Sequence, residues 1–131
     1  MYRKREEGTK LLDGATSAKS SVAYPVSDYE QMFLTLATAD NAEWTIKIQG
    51  SFSVEAPDFS QSADADNQWS YISVRNLEDG TNTDGTTWIS LEGTDAVLSY
   101  LVNTPGLRWL GVTVTTYTAG TFNVTFSGFS S

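Results

Sequence analysis

Residues 42–54 read AEWTIKIQGSFSV, and this stretch decides the fold. Ala42, Trp44, Ile46, Ile48, Phe52 and Val54 alternate with Glu43, Thr45, Lys47, Gln49, Ser51 and Ser53, the two-residue period of a strand with one buried and one wet face. Gly50 falls on the apolar side, where the missing side chain leaves a gap for a large neighbour, a bulge or a bend.

The same pattern repeats outward from this segment. Upstream, Met32, Leu34 and Leu36 predict a second strand, paired with the first through a turn at Ala39-Asp40-Asn41. Downstream, Asp58 to Gln68 is polar and too long for a tight hairpin, so it is expected to cross between sheets. Trp69 to Leu77 is the next strand, with Ile72 and Val74 on one face and Trp69, Tyr71, Ser73 and Arg75 on the other. Hydrophobic mass on both faces predicts one face on the core and the other under a loop or a partner. Trp88 to Leu91 and Val97 to Val102 follow, separated by a turn at Gly93-Thr94-Asp95. Leu107 to Tyr117 turns Leu110, Val112 and Val114 inward, and Phe122, Val124 and Phe126 form the inward face of the last strand. These two are expected to make a hairpin about Thr118-Ala119-Gly120. No stretch keeps a helical period over three turns. Eight or nine short strands at this spacing predict an all-β, antiparallel two-sheet β-sandwich, jelly-roll-like, with an immunoglobulin-like sandwich as the alternative.

The 131 residues suit one domain, and 40% hydrophobic content with four Trp, six Tyr and six Phe is too apolar for a disordered chain. Cysteine and histidine are both missing, which excludes disulfides, thiol nucleophiles, zinc-thiolate sites, Ser-His-Asp chemistry and His-dependent metal sites. Carboxylate pairs alone, without a distinguishing motif, do not make a glycosidase. The expectation is a protein that is not an enzyme and carries no cofactor. Acidic residues gather at Asp64-Ala65-Asp66-Asn67 and from Glu78-Asp79-Gly80 to Asp84-Gly85, but neither stretch has EF-hand spacing. They read as turns rather than calcium ligands, so no metal site is expected. Asn123-Val124-Thr125 matches the glycosylation sequon inside the final strand and reads as chance.

The net charge of −8 is uneven. In residues 1–19, Arg3, Lys4, Arg5, Lys10 and Lys19 outweigh Glu6, Glu7 and Asp13, leaving +2 there and −10 on the rest. An acidic body repels phosphate, which argues against nucleic acid as partner. Neither a signal peptide nor a membrane-spanning run is visible, so a soluble protein made in a cytoplasm is expected. Residues 1–19 are weakly patterned apart from Leu11-Leu12 and read as an extended N-terminal arm, with residues 20–131 as the β domain. Arg3, Lys4, Arg5, Lys10, Leu11 and Leu12 are therefore candidate docking residues; the competing reading makes Lys10 to Thr16 the first strand. Trp69, Tyr71, Trp88 and Trp109 are the aromatics not assigned to the inner face. They would belong to the fold, bury in a protein interface, or stack on sugars as in a carbohydrate-binding or adhesin module.

Trp69 with Tyr71 to Val74, Asn76 to Gly80, Asp84-Gly85, Gly93-Thr94-Asp95, Leu107-Arg108-Trp109 and Ala119-Gly120, in that order, resemble small β-rich proteins encoded among the structural genes of tailed bacteriophages. The resemblance runs from Val22 to Phe129 and is one of strands and turns, with no functional residues to carry over. It implies a virion component, assembled in the host cytoplasm, of the capsid decoration or cement type, although proteins of such gene neighbourhoods also serve in tails and fibres. The implied partner is the major capsid protein or another virion protein, with homo-oligomerisation at symmetry axes, and neither nucleic acid nor membrane.

Overall fold

A computed structural model describes residues 5–64, 66–85, 87, 89–93, 97–102, 104 and 106–130. Among them every regular element is a strand: β1 (Arg5–Ala15), β2 (Tyr24–Pro25), β3 (Gln31–Ser51), β4 (Ser70–Tyr71), β5 (Val74–Asn76), β6 (Asn82–Thr83), β7 (Ile89–Gly93), β8 (Val97–Val102) and β9 (Trp109–Phe129). The sheet order is β1-β9-β3-β8-β5-β6, with β2 on β9 and both β4 and β7 on β3. All these pairings are antiparallel. The all-β antiparallel reading thus holds, and the strands join one hydrogen-bonded sheet curled into a half-barrel.

Two long strands organise everything else. β3 and β9, 21 residues each, pair from Gln31 opposite Phe129 to Ser51 opposite Trp109. The expected turn at Ala39-Asp40-Asn41 and the expected hairpin at Thr118-Ala119-Gly120 are both corrected by this ladder. Neither reverses the chain; they face each other in mid-ladder, where the register shifts between Ala39 and Glu43 and again between Glu43 and Trp44. Extra residues at such a bulge bend and twist a ribbon without ending it. Gly120, at φ 79°, supplies the left-handed backbone that the bulge requires.

The bend brings the inner face onto itself. Trp44 from one half of the ladder stacks on Phe122 from the other, with ring centroids 4.2 Å apart and planes 19° from parallel. Met32, Leu34, Leu36, Ile46 and Ile48 of β3 and Leu110, Val112, Val114, Val124 and Phe126 of β9 complete one continuous core. Residues 20–29 close it from the side: Ser20 bridges Thr113, β2 pairs with β9 at Leu110 and Trp109, and the rings of Tyr24 and Tyr29 lean on Phe126. The gap at Gly50 is filled as its position requires. A Cβ there would lie 2.8 Å from Leu107 Cδ1 and 2.9 Å from Ile72 Cγ2, so those two side chains occupy the missing volume.

Three further expectations are corrected. Phe52 and Val54 do not continue the buried face, because β3 ends at Ser51 and both are exposed. The loop from Asp58 to Gln68 is no crossover to a second sheet, since it joins β3 to β4, its own neighbour in the same sheet. The segment from Arg5 to Ala15 is not a free arm: β1 pairs with β9 from Arg5 opposite Phe129 to Ala15 opposite Phe122. Leu12 at 4% exposure and Ala15 at 3% belong to the core. Bulges between Glu6 and Thr9, Lys10 and Leu12, and Leu12 and Ala15 interrupt the two-residue period, which is why the strand reads as unpatterned.

Candidate interaction surface

Where β3 ends, the chain turns onto the outer face of the sheet and builds a second, smaller cluster. Asp58 starts the turn, its carboxylate accepting hydrogen bonds from the Ser60 amide at 3.0 Å and hydroxyl at 2.6 Å. The Ser60 hydroxyl first, and then its amide, hold the Asp58 carboxyl below the usual carboxylate range. Phe59 follows and is buried against Gly111, while Gln49 Nε2 donates to the Phe59 carbonyl at 2.9 Å. Gly111 is required here, because a Cβ would overlap the Phe59 ring.

The far end of the loop is held as firmly. Asp64 accepts from the Asn67 amide at 2.8 Å, and Asn67 Nδ2 donates to the Ser62 carbonyl at 2.8 Å. Gln68 sits at φ 58°, an uncommon conformation for a residue with a side chain. Two serines fix it: Ser51 Oγ donates to its carbonyl at 2.6 Å and Ser53 Oγ to its Oε1 at 2.8 Å. Trp69 comes next at 6% exposure, edge-on to Phe59 and to Tyr71 with centroids 5.5 and 5.0 Å away. Lys47 Nζ lies 4.6 Å from the Tyr71 ring centroid, and Trp109 Nε1 donates to the Ser53 carbonyl at 3.0 Å.

The candidate residues read from the sequence therefore fall in two places. Trp69, Tyr71 and Trp109 gather around the loop end, but Trp69 presents no open ring face and the N–H of Trp109 is already bonded. On the second face of the Trp69–Leu77 segment the loop covers Trp69 through Phe59, while Tyr71 and Ser73 are half-buried and Arg75 is exposed. Lys10, Leu11 and Leu12 lie on β1 at one edge of the sheet; Lys10 pairs with Asp13 at 3.0 Å, Leu11 is half-buried and Leu12 is in the core. Arg5 takes part in that strand through its backbone, whereas Arg3, Lys4 and Trp88 lie outside the described residues. Sequence reasoning missed Phe52, whose alternating position implied burial but which is 58% exposed beside the loop.

The acidic turns have local tasks. Asp79 accepts from the Thr81 amide and hydroxyl at 2.9 and 2.7 Å, and Asp84 from the amide and hydroxyl of Thr87, both at 3.0 Å. The Thr81 hydroxyl, followed by its amide, lowers the Asp79 carboxyl from its usual range. Burial, with smaller contributions from Asp79 and Glu78, raises the Tyr100 hydroxyl above its ordinary value. Asn123, the sequon asparagine, accepts from the Gly14 amide at 2.7 Å and so ties β1 to β9.

No protein-family model and no curated protein matches this sequence. Solved structures do share its fold. The SPBc2 prophage-derived protein YomS superimposes with a TM-score of 0.70 at 15% identity, covering 99% of this chain and 96% of that one. The PBSX exported protein XepA gives a TM-score of 0.67 at 20% identity; 99% of this chain corresponds to 39% of XepA. The first is prophage-derived by name and the second an exported protein of PBSX, and what both share with this chain is the curled all-β fold.

Proposed function

We propose that this chain is a structural protein of a tailed-phage particle, a decoration protein that binds the major capsid protein and reinforces the shell. The observation that carries this reading is the end-to-end likeness to a prophage-derived protein of nearly the same extent. The lack of histidine and cysteine supports binding over catalysis. The docking element on this reading is β1. It lies at the end of the strand order, so one side of its backbone is available to a strand of the partner, and Lys10 on it offers an exposed charge.

Co-sedimentation of the purified chain with capsids lacking it tests the proposal. Saturable binding to capsids is expected, weakened by Lys10→Glu at unchanged melting temperature, since an exposed pair such as Lys10 with Asp13 contributes little stability. Binding to isolated tails alone, or to neither, would overturn the proposal.

A further inference from the structure

In the half of the sheet that holds Phe33 to Ala37, the outward face carries no charge across three strands. Met32, Leu34 and Leu36 of β3 are buried in the core, so Phe33, Thr35 and Ala37 point out. Phe33 stands between Leu101 of β8 and Ser127 of β9, and Thr35 between Ser99 and Thr125. The next row, Ala37 between Val97 and Asn123, is uncharged as well. All of these are half-buried except Val97, which is 61% exposed. Leu77, whose amide bonds to the Ser99 carbonyl at 3.0 Å, adds a 47% exposed side chain at the β8 margin. The other half of the outer face differs: Glu43 is exposed there, Lys47 stands over Tyr71, and Phe59 of the loop lies on Gly111.

Two-fold contact between identical copies sets a surface against itself, so a patch of one sign repels its image. A chain of net charge −8 meets that repulsion over its acidic surfaces and escapes it on this face. Hydroxyls suit self-contact for a second reason: each donates and accepts, so the row of Thr35, Ser99 and Thr125 can hydrogen-bond to its own image. Phe33 with Leu101 on one side of that row, and Val97 on the other, supply apolar area. Depletion of charge with aromatic residues present marks the centre of an interface. Size sets the strength. At ~3.3 Å per residue and ~4.8 Å between strands, the face from Phe33 to Ala39 over β9, β3 and β8, with its margins, measures about 20 Å each way. Two such faces bury roughly 800–1,000 Å² in total, below the ~1,200–2,000 Å² of a stable complex. We infer that two copies of this chain associate through this face, sheet against sheet, as a weak and reversible dimer. The inference does not rest on the capsid reading, because the free chain displays the face and the outer edge of β1 takes no part in it.

Sedimentation equilibrium of the full chain, paired with an NMR dilution series, tests this. A monomer–dimer equilibrium with a dissociation constant of about 100 µM is expected from so small a contact. Amide shifts that follow concentration should map to Phe33, Thr35, Ser99 and Thr125. Added salt should tighten the dimer several-fold by screening the repulsion between two chains of charge −8, whereas a contact held by ion pairs would loosen. Thr35→Lys, in the middle of the face, should weaken the dimer about tenfold or more, because the added charge is desolvated in the contact. Val97→Lys, at an exposed position that the core does not require, should act in the same direction and guards against misfolding of the first variant. Thr116→Lys, exposed on the other half of the ladder, should dimerise like the parent. The inference is overturned by a parent still monomeric at about 1 mM, ten times the expected constant, by a dimer that loosens with salt, or by two face variants that dimerise like the parent. A monomeric parent whose Thr35→Lys variant fails to co-sediment with capsids would assign the face to the capsid protein and overturn it as well.

Discussion

At Gly50 the interior has no room for a methyl group, because Leu107 and Ile72 already stand where it would go. Gly50→Ala should therefore cost about 1–3 kcal/mol through overpacking, measured as a shift in urea midpoint. A neutral effect would mean that Leu107 is placed otherwise. Four residues earlier, face decides the outcome. Ile46 is fully buried, and Ile46→Asp would put a charge into the core at a cost of several kcal/mol, a large share of the ~5–15 kcal/mol that holds a domain together. Lys47→Asp, on the opposite face, loses a cation–π contact with Tyr71 worth about 0.5–1 kcal/mol and should fold. Unfolding of the second variant with survival of the first would invert the face assignment. Protonation acts at this scale too. Asp58 and Asp79 titrate below their ordinary range when folded, so their contribution is present above about pH 4 and fades as pH falls through the lowered values. Tyr100 is shifted the other way. Its unfolded form ionises first, so stability falls as pH rises above about 10, and Tyr100→Phe should flatten that alkaline loss in a denaturant series across pH.

Among the elements, β1 shows most clearly what a sequence hides. Leu12 and Ala15 are core residues three positions apart, a spacing that fits no strand period unless a bulge lies between them. Deleting everything before Ser20 should remove a paired strand and two core side chains; losing the Leu12 contacts alone is worth about 2–5 kcal/mol. The melting temperature should drop by more than about 10 °C. A change of only a few degrees would restore the free-arm reading. β3 and β9 were legible as inward and outward faces, since Trp44, Ile46, Leu110 and Val112 all point as their alternation requires. Their continuity was not. A reversal between Leu36 and Ile46 and an uninterrupted strand with a bulge both keep even-numbered residues on the inside, so parity cannot distinguish them. The polar and small residues that mark a turn also serve a bend in mid-strand. At the candidate site, Trp69 and Tyr71 were legible as a second hydrophobic face, but Phe59, which covers Trp69, sits inside a polar loop and carries no periodic signal.

At the scale of the whole molecule, one sheet curled by a bend in its two longest strands wraps a single core. It leaves the edge strand β1 on one side and acidic turns around β5 and β6 at the other end of the strand order. Such an edge suits a subunit added to an assembled surface, since it offers backbone hydrogen bonds to a partner. The most direct measurement is cryo-electron microscopy of purified phage particles that carry the gene for this chain. The account predicts density for the curled sheet on the outer capsid surface, with β1 against the major capsid protein; particles without that density, or with the chain confined to the tail, would contradict it.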